Sequence, residues 1–152
     1  MNRRPLPVEH GLIIVGCSRR KRPTSTPIPA LDLYEGGCIP GLRNRLGENK
    51  PVRKRIRILS ALHGLLSADS LITPYDRRLS NRADAYALRD RVAPQLDADL
   101  VNVAQVLAVV EPLYLLALEP VVRRLDALRL HWIADPRGWY RAALVLDTWG
   151  WT

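Results

Sequence analysis

The sequence has few cysteines, few lysines and no long hydrophobic run. Its two cysteines, Cys17 and Cys38, are too few for a disulfide framework or a four-cysteine zinc site, and no His/Cys spacing typical of a metal site is present. A membrane span would need about 18 consecutive apolar residues. The apolar stretch Leu12–Val15 is also too short for the core of a signal peptide. We therefore expect a cytoplasmic protein that spans no membrane and uses neither a metal nor a cofactor.

The composition that remains is typical of a globular protein. The chain has 152 residues, of which 47% are hydrophobic and 25% are charged. A chain of this length can bury a sizeable core, whereas two domains would each fall near the lower size limit. We expect a single domain over residues 1–152.

Positive charge is concentrated in the first third of the chain. Residues 1–57 hold 13 Lys and Arg residues against 4 Asp and Glu residues, while residues 58–152 hold 10 against 11, for a net charge of +8. Only Lys21, Lys50 and Lys54 are lysines, and arginine both binds phosphate through two hydrogen bonds and stacks on bases. The pattern predicts a nucleic acid or nucleotide partner. The alternative is a GC-rich coding sequence whose arginines are merely solvated.

Hydrophobic patterning in the first half of the chain predicts two strands. Leu12–Val15 is a continuous apolar run, which is typical of a buried parallel strand. Arg55–Ser60 alternates charged and apolar residues before it ends, which predicts a second strand. Between them we expect a helical turn at Ala30–Tyr34 and a short helix at Leu42–Leu46, and after them a loop over Ala61–Ser80.

The second half of the chain shows more regular patterns. Asn81 can cap a helix, and from Leu100 the apolar residues recur at i, i+3, i+4 and i+7. The predicted helices cover Arg82–Val92, Leu100–Val110 and Val121–Leu130, and the predicted strands cover Leu113–Leu118 and Ala142–Leu146. Trp149 and Trp151 can cover an apolar surface, form a dimer contact or pack in the core, and we favour core packing.

Strands that alternate with helices imply an α/β fold, a three-layer sandwich with a mostly parallel central sheet. In such a sheet, ligands bind beyond the carboxyl ends of the strands. The rule points to the loops after Val15 and after Ser60.

The loop after the first predicted strand, Gly16-Cys17-Ser18-Arg19-Arg20-Lys21-Arg22, has the composition of a phosphate site. Its backbone N–H groups, the Ser18 hydroxyl and the side chains of Arg20 and Lys21 can hold a phosphate. The spacing of a P-loop is absent, so we do not expect a nucleoside-triphosphatase. Cys17 is either a nucleophile activated by the neighbouring cations or a small buried residue that closes the strand.

Two further segments carry candidate catalytic groups. Ser60 and His63 follow the second strand, where a histidine can protonate a leaving group, or can simply be a turn residue bonded to the backbone. In Thr73-Pro74-Tyr75-Asp76, Tyr75 can stack on a base or sugar. Asp76 can orient water or stabilise a sugar cation, or it can cap a helix or pair with a following arginine.

Four motifs occur in a fixed order within residues 11–80: Cys-Ser-x-x-Lys, Pro-Ala-x-x-Leu-Tyr, Ile-Leu-Ser-Ala-x-x-Gly-Leu and Pro-Tyr-Asp. They occupy Cys17–Lys21, Pro29–Tyr34, Ile58–Leu65 and Pro74–Asp76. Together they resemble the signature of an uncharacterised domain family. The stretch from Leu-Ser-Ala to Pro-Tyr is also similar to YaaA-like peroxide-stress proteins, which bind DNA. Related domains accompany archaeosine and queuine tRNA-ribosyltransferase-type enzymes, and they resemble the uracil-DNA glycosylase fold. The glycine-rich segment expected near the C-terminus is reduced here to Asp135–Tyr140.

The resemblance implies a uracil-DNA-glycosylase-like sandwich that acts on, or binds, a nucleoside or nucleic acid, with DNA favoured. The first function we expect is DNA glycosylase-like cleavage of an N-glycosidic bond. The alternatives are a non-catalytic YaaA-like nucleic-acid-binding module and a small-nucleotide N-glycoside hydrolase or ribosyltransferase. The expected catalytic residues are Asp76 and His63, and the expected substrate-binding residues are Cys17, Ser18, Arg20, Lys21, Tyr34, Ser60 and Tyr75.

These expectations require that the three candidate segments converge on one cleft at the edge of the sheet. The size of the substrate is expected to follow from the arginines outside those segments. If they form one stripe beside the cleft, a polymer is favoured; if they are scattered, a small molecule is favoured. The arginines concerned are Arg3, Arg4, Arg43, Arg45, Arg53 and Arg55.

Overall fold

The computed structural model describes residues 4–152, and a five-stranded sheet lies at its centre. The strands are β1 (Gly11–Gly16), β2 (Ile28–Pro29), β3 (Ile56–Ser60), β4 (Gly64–Ser67), β5 (Leu71–Ile72), β6 (Gln105–Val109) and β7 (Arg129–Ile133). The central sheet has the order β4-β3-β1-β6-β7, while β2 and β5 form a separate two-stranded sheet. β1, β3, β6 and β7 are parallel, and β4 returns antiparallel to β3 at one edge.

Helices cover both faces of the central sheet. They are α1 (Ala30–Leu33), α2 (Ile39–Leu46), α3 (Lys50–Arg53), α4 (Arg82–Asp99), α5 (Pro112–Leu115), α6 (Glu119–Val122) and α7 (Trp139–Trp149). Alternate residues of β1 point to opposite faces, so Ile13 and Val15 join a core with α1, α2, α3 and α7. Leu12 and Ile14 join a second core with α4, α5 and α6. The predicted α/β architecture with a mostly parallel sheet between helical layers is confirmed at this level.

The first-half predictions agree with the structure in the main elements. The strands predicted at Leu12–Val15 and Arg55–Ser60 are β1 and β3, and the predicted helical segments lie within or overlap α1 and α2. The predicted loop over Ala61–Ser80 is wrong in part, because it contains β4 and β5. Gly64 opens β4 with φ of +80°, a left-handed conformation that lets the chain reverse tightly after β3.

The helix predicted over Leu100–Val110 is wrong. The preceding helix, α4, runs through Pro94 to Asp99, well beyond the predicted end at Val92, and β6 follows at Gln105. β6 is buried from both faces of the sheet, so its residues are apolar at successive positions. A continuous apolar run also contains the i, i+3, i+4 and i+7 positions, which explains the false helical signal.

Three predictions near the C-terminus are also wrong. Leu113–Leu118 forms α5 and a following 3-10 turn rather than a strand, and the helix predicted to reach Leu130 ends at Val122, before β7. Ala142–Leu146 lies inside α7. These segments are apolar enough for either structure, and only their packing against the completed sheet decides between them.

The two C-terminal tryptophans pack in the core, as predicted. Trp149 and Trp151 are buried, and the Trp151 Nε1–H donates to the Leu6 carbonyl at 2.9 Å. Gly11 makes room for this contact, because a Cβ at this position would lie 2.6 Å from the Trp151 ring. The end of the chain therefore closes over the start of β1. Within residues 4–152, no helix is both long and apolar enough to cross a membrane.

Candidate functional site

The topology of the sheet creates a crevice between the carboxyl ends of β1 and β6. The chain leaves β1 towards the face that carries α1–α3, whereas it leaves β6 towards the opposite face, which carries α5 and α6. Neighbouring parallel strands whose connections diverge in this way leave an opening at their carboxyl ends, where α/β proteins bind ligands. A cleft of ≈ 280 Å³ lies there, close to the lower end of the usual range for ligand pockets, about 300–1,000 Å³. We call it the switch-point cleft.

The switch-point cleft is lined by several separate stretches of chain. The largest is Val15–Lys21, which follows β1, and Val109–Glu111 approaches it from β6. Asp76–Arg78 comes from the loop after β5. Gly36–Cys38, Tyr114 and Pro136–Arg137 complete the lining.

Cations dominate the lining of the cleft. Six basic side chains, here called the rim cations, face two carboxylates, Asp76 and Glu111. The rim cations are Arg19, Arg20, Lys21, Arg77, Arg78 and Arg137. Of the ion pairs found within residues 4–152, none involves a rim cation. Like charges gathered at one concave site repel one another and focus a positive potential, so an anionic ligand would be attracted.

The Ser18 hydroxyl holds the loop after β1 in place. It donates to the Arg20 carbonyl at 2.9 Å and accepts the Gly36 N–H at 3.2 Å. Its proton is therefore already used within the protein. The expected role of Ser18 as a phosphate donor is replaced by one in shaping the cleft.

Cys17 lines the cleft and is neither fully buried nor bonded to Cys38. Its N–H donates to the Leu59 carbonyl at 3.0 Å, which ties the loop to the end of β3. Its Sγ lies 4.0 Å from the hydroxyl of Tyr114. Either group can donate in this contact, and burial raises the pKa of Tyr114 to about 12.

Behind the cleft, Tyr34, Ser60 and Tyr75 form a hydrogen-bonded group that we call the tyrosine cluster. The Ser60 Oγ accepts the N–H groups of Leu62 and His63 at 3.3 and 3.0 Å, which leaves its own proton to donate to the Tyr75 hydroxyl at 2.6 Å. The Tyr75 hydroxyl in turn lies 2.5 Å from that of Tyr34. Burial raises the pKa of both tyrosines above the usual range, so the cluster is uncharged.

Not every member of the tyrosine cluster is accessible to a ligand. Tyr34 and Ser60 are fully buried, so the expected stacking of a base on Tyr34 and the expected contact of Ser60 with substrate are not possible in this structure. Tyr75 is half-buried, and Lys21 lies over its ring with Nζ 4.5 Å from the centroid. The face of Tyr75 is thus occupied by a cation.

Lys21 connects the tyrosine cluster to the cleft. Its Nζ donates to the Arg19 carbonyl at 3.3 Å. Burial lowers the pKa of Lys21, and the nearby Cys17 and Asp76 oppose that effect. Lys21 and Asp76 both line the cleft, and no ion pair between them is found within residues 4–152.

The three predicted segments converge, but not all of their residues reach the cleft. Cys17, Ser18, Arg20, Lys21 and Asp76 line it. His63 does not; it is exposed and packs its ring edge-on against Tyr75, with 4.9 Å between centroids. The other histidines bond within the protein: His131 Nε2 lies 2.8 Å from Gln105 Oε1, and His10 Nδ1 lies 2.7 Å from the Asn102 carbonyl.

Glu111 and Tyr114 were missed because the segments around them were predicted incorrectly. With a helix expected over Leu100–Val110, no strand end was expected before Glu111. The sequence does contain a signal, since the apolar run Val106–Val110 stops at Glu111-Pro112. An apolar run that ends at a charged residue and a proline is typical of a strand that enters a loop.

The arginines whose arrangement was expected to indicate the size of the substrate do not line the cleft, as far as residues 4–152 show. Arg43 donates to the carbonyls of Leu31 and Tyr34, and Arg45 donates to the Trp151 carbonyl and to Asp147. Arg53 donates to Asp69, and Arg55 donates to the Gly11 carbonyl. Arg4 is exposed and does not line the cleft, and Arg3 lies outside the described residues. The five of them that lie within residues 4–152 are scattered, which is the arrangement that favours a small substrate.

Among residues 4–152, no group of three or more His, Cys, Asp and Glu side chains is arranged to hold a metal ion. The fold and site together define an α/β protein with a cation-lined cleft at the switch point of a mostly parallel sheet. Residues 12–127 match the profile of a family of unknown function (DUF6884), and the chain belongs to that family. The match includes the whole lining of the cleft except Pro136–Arg137. Comparisons with curated proteins and with solved structures gave no match.

Proposed function

We propose that the switch-point cleft binds a phosphorylated nucleoside and cleaves its N-glycosidic bond by hydrolysis or transfer. The observation that carries this proposal is the ring of unpaired rim cations around a cleft that also contains two carboxylates. Arginine side chains and the backbone N–H groups of the loop after β1 suit a phosphate. The volume of the cleft suits one nucleotide unit.

The site favours a substrate of nucleotide size over duplex DNA. The arginines that would extend a basic stripe beyond the cleft are bound to carbonyls and carboxylates, as described above. DNA glycosylase-like base removal in a uracil-DNA-glycosylase-like fold is the second candidate. It is favoured by the exposure of Arg19, Arg20 and Arg137 at the mouth of the cleft, where a longer strand would have access to them.

The proposed chemistry uses Asp76. As the C1′–N bond breaks, positive charge develops on the sugar, and the Asp76 carboxylate stabilises it electrostatically. Water or an acceptor hydroxyl then bonds to C1′ and loses a proton, and the departing base takes up a proton. A carboxylate about 4 Å from a developing positive charge contributes about 4 kcal/mol at an effective dielectric near 20. This corresponds to about three powers of ten in rate. His63 has no part in this scheme, because it does not line the cleft.

The decisive experiment compares Asp76→Asn with the wild-type protein in binding and in turnover. Nucleoside monophosphates, nucleosides and single-stranded oligonucleotides are each incubated with protein, and released base is quantified by chromatography. We expect base release from a phosphorylated ligand, and a loss of about 10³-fold in Asp76→Asn with affinity nearly unchanged.

Asp126→Asn is the matched control, because Asp126 is an exposed carboxylate that does not line the cleft. It should leave base release unchanged. Equal losses of binding and turnover in Asp76→Asn would contradict the assigned role. Salt-dependent binding of oligonucleotides with no base release from any ligand would instead support the YaaA-like binding module.

A further inference from the structure

A second cleft lies beside the first and shares a wall with it. It has a volume of ≈ 130 Å³, well above the ~10–15 Å³ that one water molecule needs on this measure. Arg77 and Arg78 line both clefts, so the segment that carries them is the partition between the two. The rest of the second cleft is formed largely by α4, and we call it the α4 cleft.

The α4 cleft is also lined mainly by cations. Arg77, Arg78 and Arg91 face it together with one carboxylate, Asp84. No ion pair within residues 4–152 involves Arg91 or Asp84. Asp84 is already engaged at the start of α4, since its Oδ2 accepts the Ser80 N–H at 3.0 Å. The three guanidinium groups therefore exceed the negative charge available to them.

The partition between the clefts is held in a defined position. The Leu79 N–H donates to the Tyr114 hydroxyl at 3.3 Å, and Leu79 lines the α4 cleft while Tyr114 lines the switch-point cleft. Arg77 and Arg78, the two residues that separate the clefts, are exposed to solvent. A ligand that leaves the switch-point cleft over these two residues would enter the α4 cleft and meet Arg91.

We propose that the α4 cleft is a second phosphate subsite, so that the ligand is a nucleotide chain with at least two phosphate groups. One phosphate would lie among the rim cations and the next beside Arg91. Charged hydrogen bonds to phosphate, and guanidinium groups that are otherwise unpaired, supply the affinity. This inference rests on the proposed function and narrows its substrate class from phosphorylated nucleosides in general to those in a chain of at least two nucleotides.

The test measures the binding of two probes, a 5′-mononucleotide and a 5′-phosphorylated dinucleotide, to the wild-type protein, Arg91→Gln and Arg89→Gln. Arg89 is the matched control because it lies on the same helix but pairs with Asp90 and does not line the α4 cleft. We expect the wild-type protein to bind the dinucleotide about tenfold more tightly than the mononucleotide. Arg91→Gln should remove that advantage and leave mononucleotide binding unchanged, and Arg89→Gln should alter neither.

Salt dependence gives a second readout for the same variants. The slope of log affinity against log salt for the dinucleotide should become shallower by about 0.7 in Arg91→Gln, which corresponds to one phosphate contact fewer on a single strand. Equal wild-type affinities for the two probes, or equal weakening of both by Arg91→Gln, would overturn the second subsite while leaving the proposed function intact. Failure of the wild-type protein to bind either probe would overturn both.

Discussion

Two groups of basic residues look alike in the sequence and differ in the structure. The first group, here called the framework arginines, consists of Arg43, Arg45, Arg53 and Arg57, all of which bond to carbonyls or carboxylates of the protein. The second group is the rim cations, which form no ion pair among the described residues. Both groups contribute to the positive charge of residues 1–57. The charge of a segment therefore overstates the charge that is available to a ligand.

The framework arginines stabilise contacts between distant parts of the chain. Arg45 bonds to the carbonyl of Trp151 and thus joins α2 to the C-terminus. Arg57 bonds to Asp99 and joins β3 to the end of α4. Because the guanidinium carries five N–H donors in a fixed plane, it can satisfy several acceptors at once, which suits it to this role.

The strongest test of the difference between framework arginines and rim cations is to replace a framework arginine. Arg57 and Asp99 form two parallel hydrogen bonds, at 3.0 and 3.2 Å, and their side chains are only 13% and 16% exposed. Arg57→Met leaves the carboxylate buried without its partner, and the free energy of unfolding should fall by about 3 kcal/mol. Urea denaturation measures this change. A double variant, Arg57→Met with Asp99→Leu, should recover part of the loss, and no recovery would contradict the assigned pairing.

The tyrosine cluster should give the next largest effect on stability. Tyr75→Phe removes the hydroxyl that joins Ser60 to Tyr34 and leaves a buried polar group without a partner. We expect the free energy of unfolding to fall by about 2 kcal/mol. Tyr140→Phe is the control, since Tyr140 is 76% exposed. Similar values for both variants would show that the Tyr75 hydroxyl contributes nothing.

Alkaline pH should reduce the contribution of the buried tyrosines to stability. The pKa of Tyr114 is raised from its usual value of 10.0 to about 12, chiefly by burial, and those of Tyr34 and Tyr75 are raised in the same direction. The unfolded chain loses these protons first, so stability should fall as the pH rises from about 10 towards 12. Unfolding measured across this range should show a shallower decline for Tyr114→Phe. An identical decline in both proteins would refute the raised pKa.

The smallest effect on stability is expected for the rim cations. Arg77→Gln removes an exposed charge that has no ion-pair partner within the described residues, so the free energy of unfolding should change by less than about 0.5 kcal/mol. The same variant should weaken nucleotide binding and its dependence on salt, because it removes a phosphate contact. Calorimetry of unfolding and of binding measures the two effects separately. A loss of stability comparable to that of Arg57→Met would remove the distinction between the groups.

Sequence reasoning succeeded where the signal is local and failed where it depends on packing. β1 and β3 were predicted because an apolar run or an alternation that ends at small residues is typical of a strand. β6 was mistaken for a helix, and α7 was mistaken in part for a strand. In both, the apolar residues alone are compatible with either structure, and the neighbouring elements decide. The error at β6 also concealed Glu111 and Tyr114, since a strand end is where a ligand site is expected.

The sequence alone determined the alternation of buried strands and helices, the concentration of arginine near the N-terminus, and the loop of small and basic residues after β1. Those properties depend on composition and on spacing over a few residues. Only the tertiary structure decided which arginines are bound and which are free, and that the ends of β1 and β6 lie side by side. The reason is that these pairings join residues far apart in the chain, such as Arg45 and Trp151. Strand order and the direction of each crossover bring such residues together, and no local pattern encodes them.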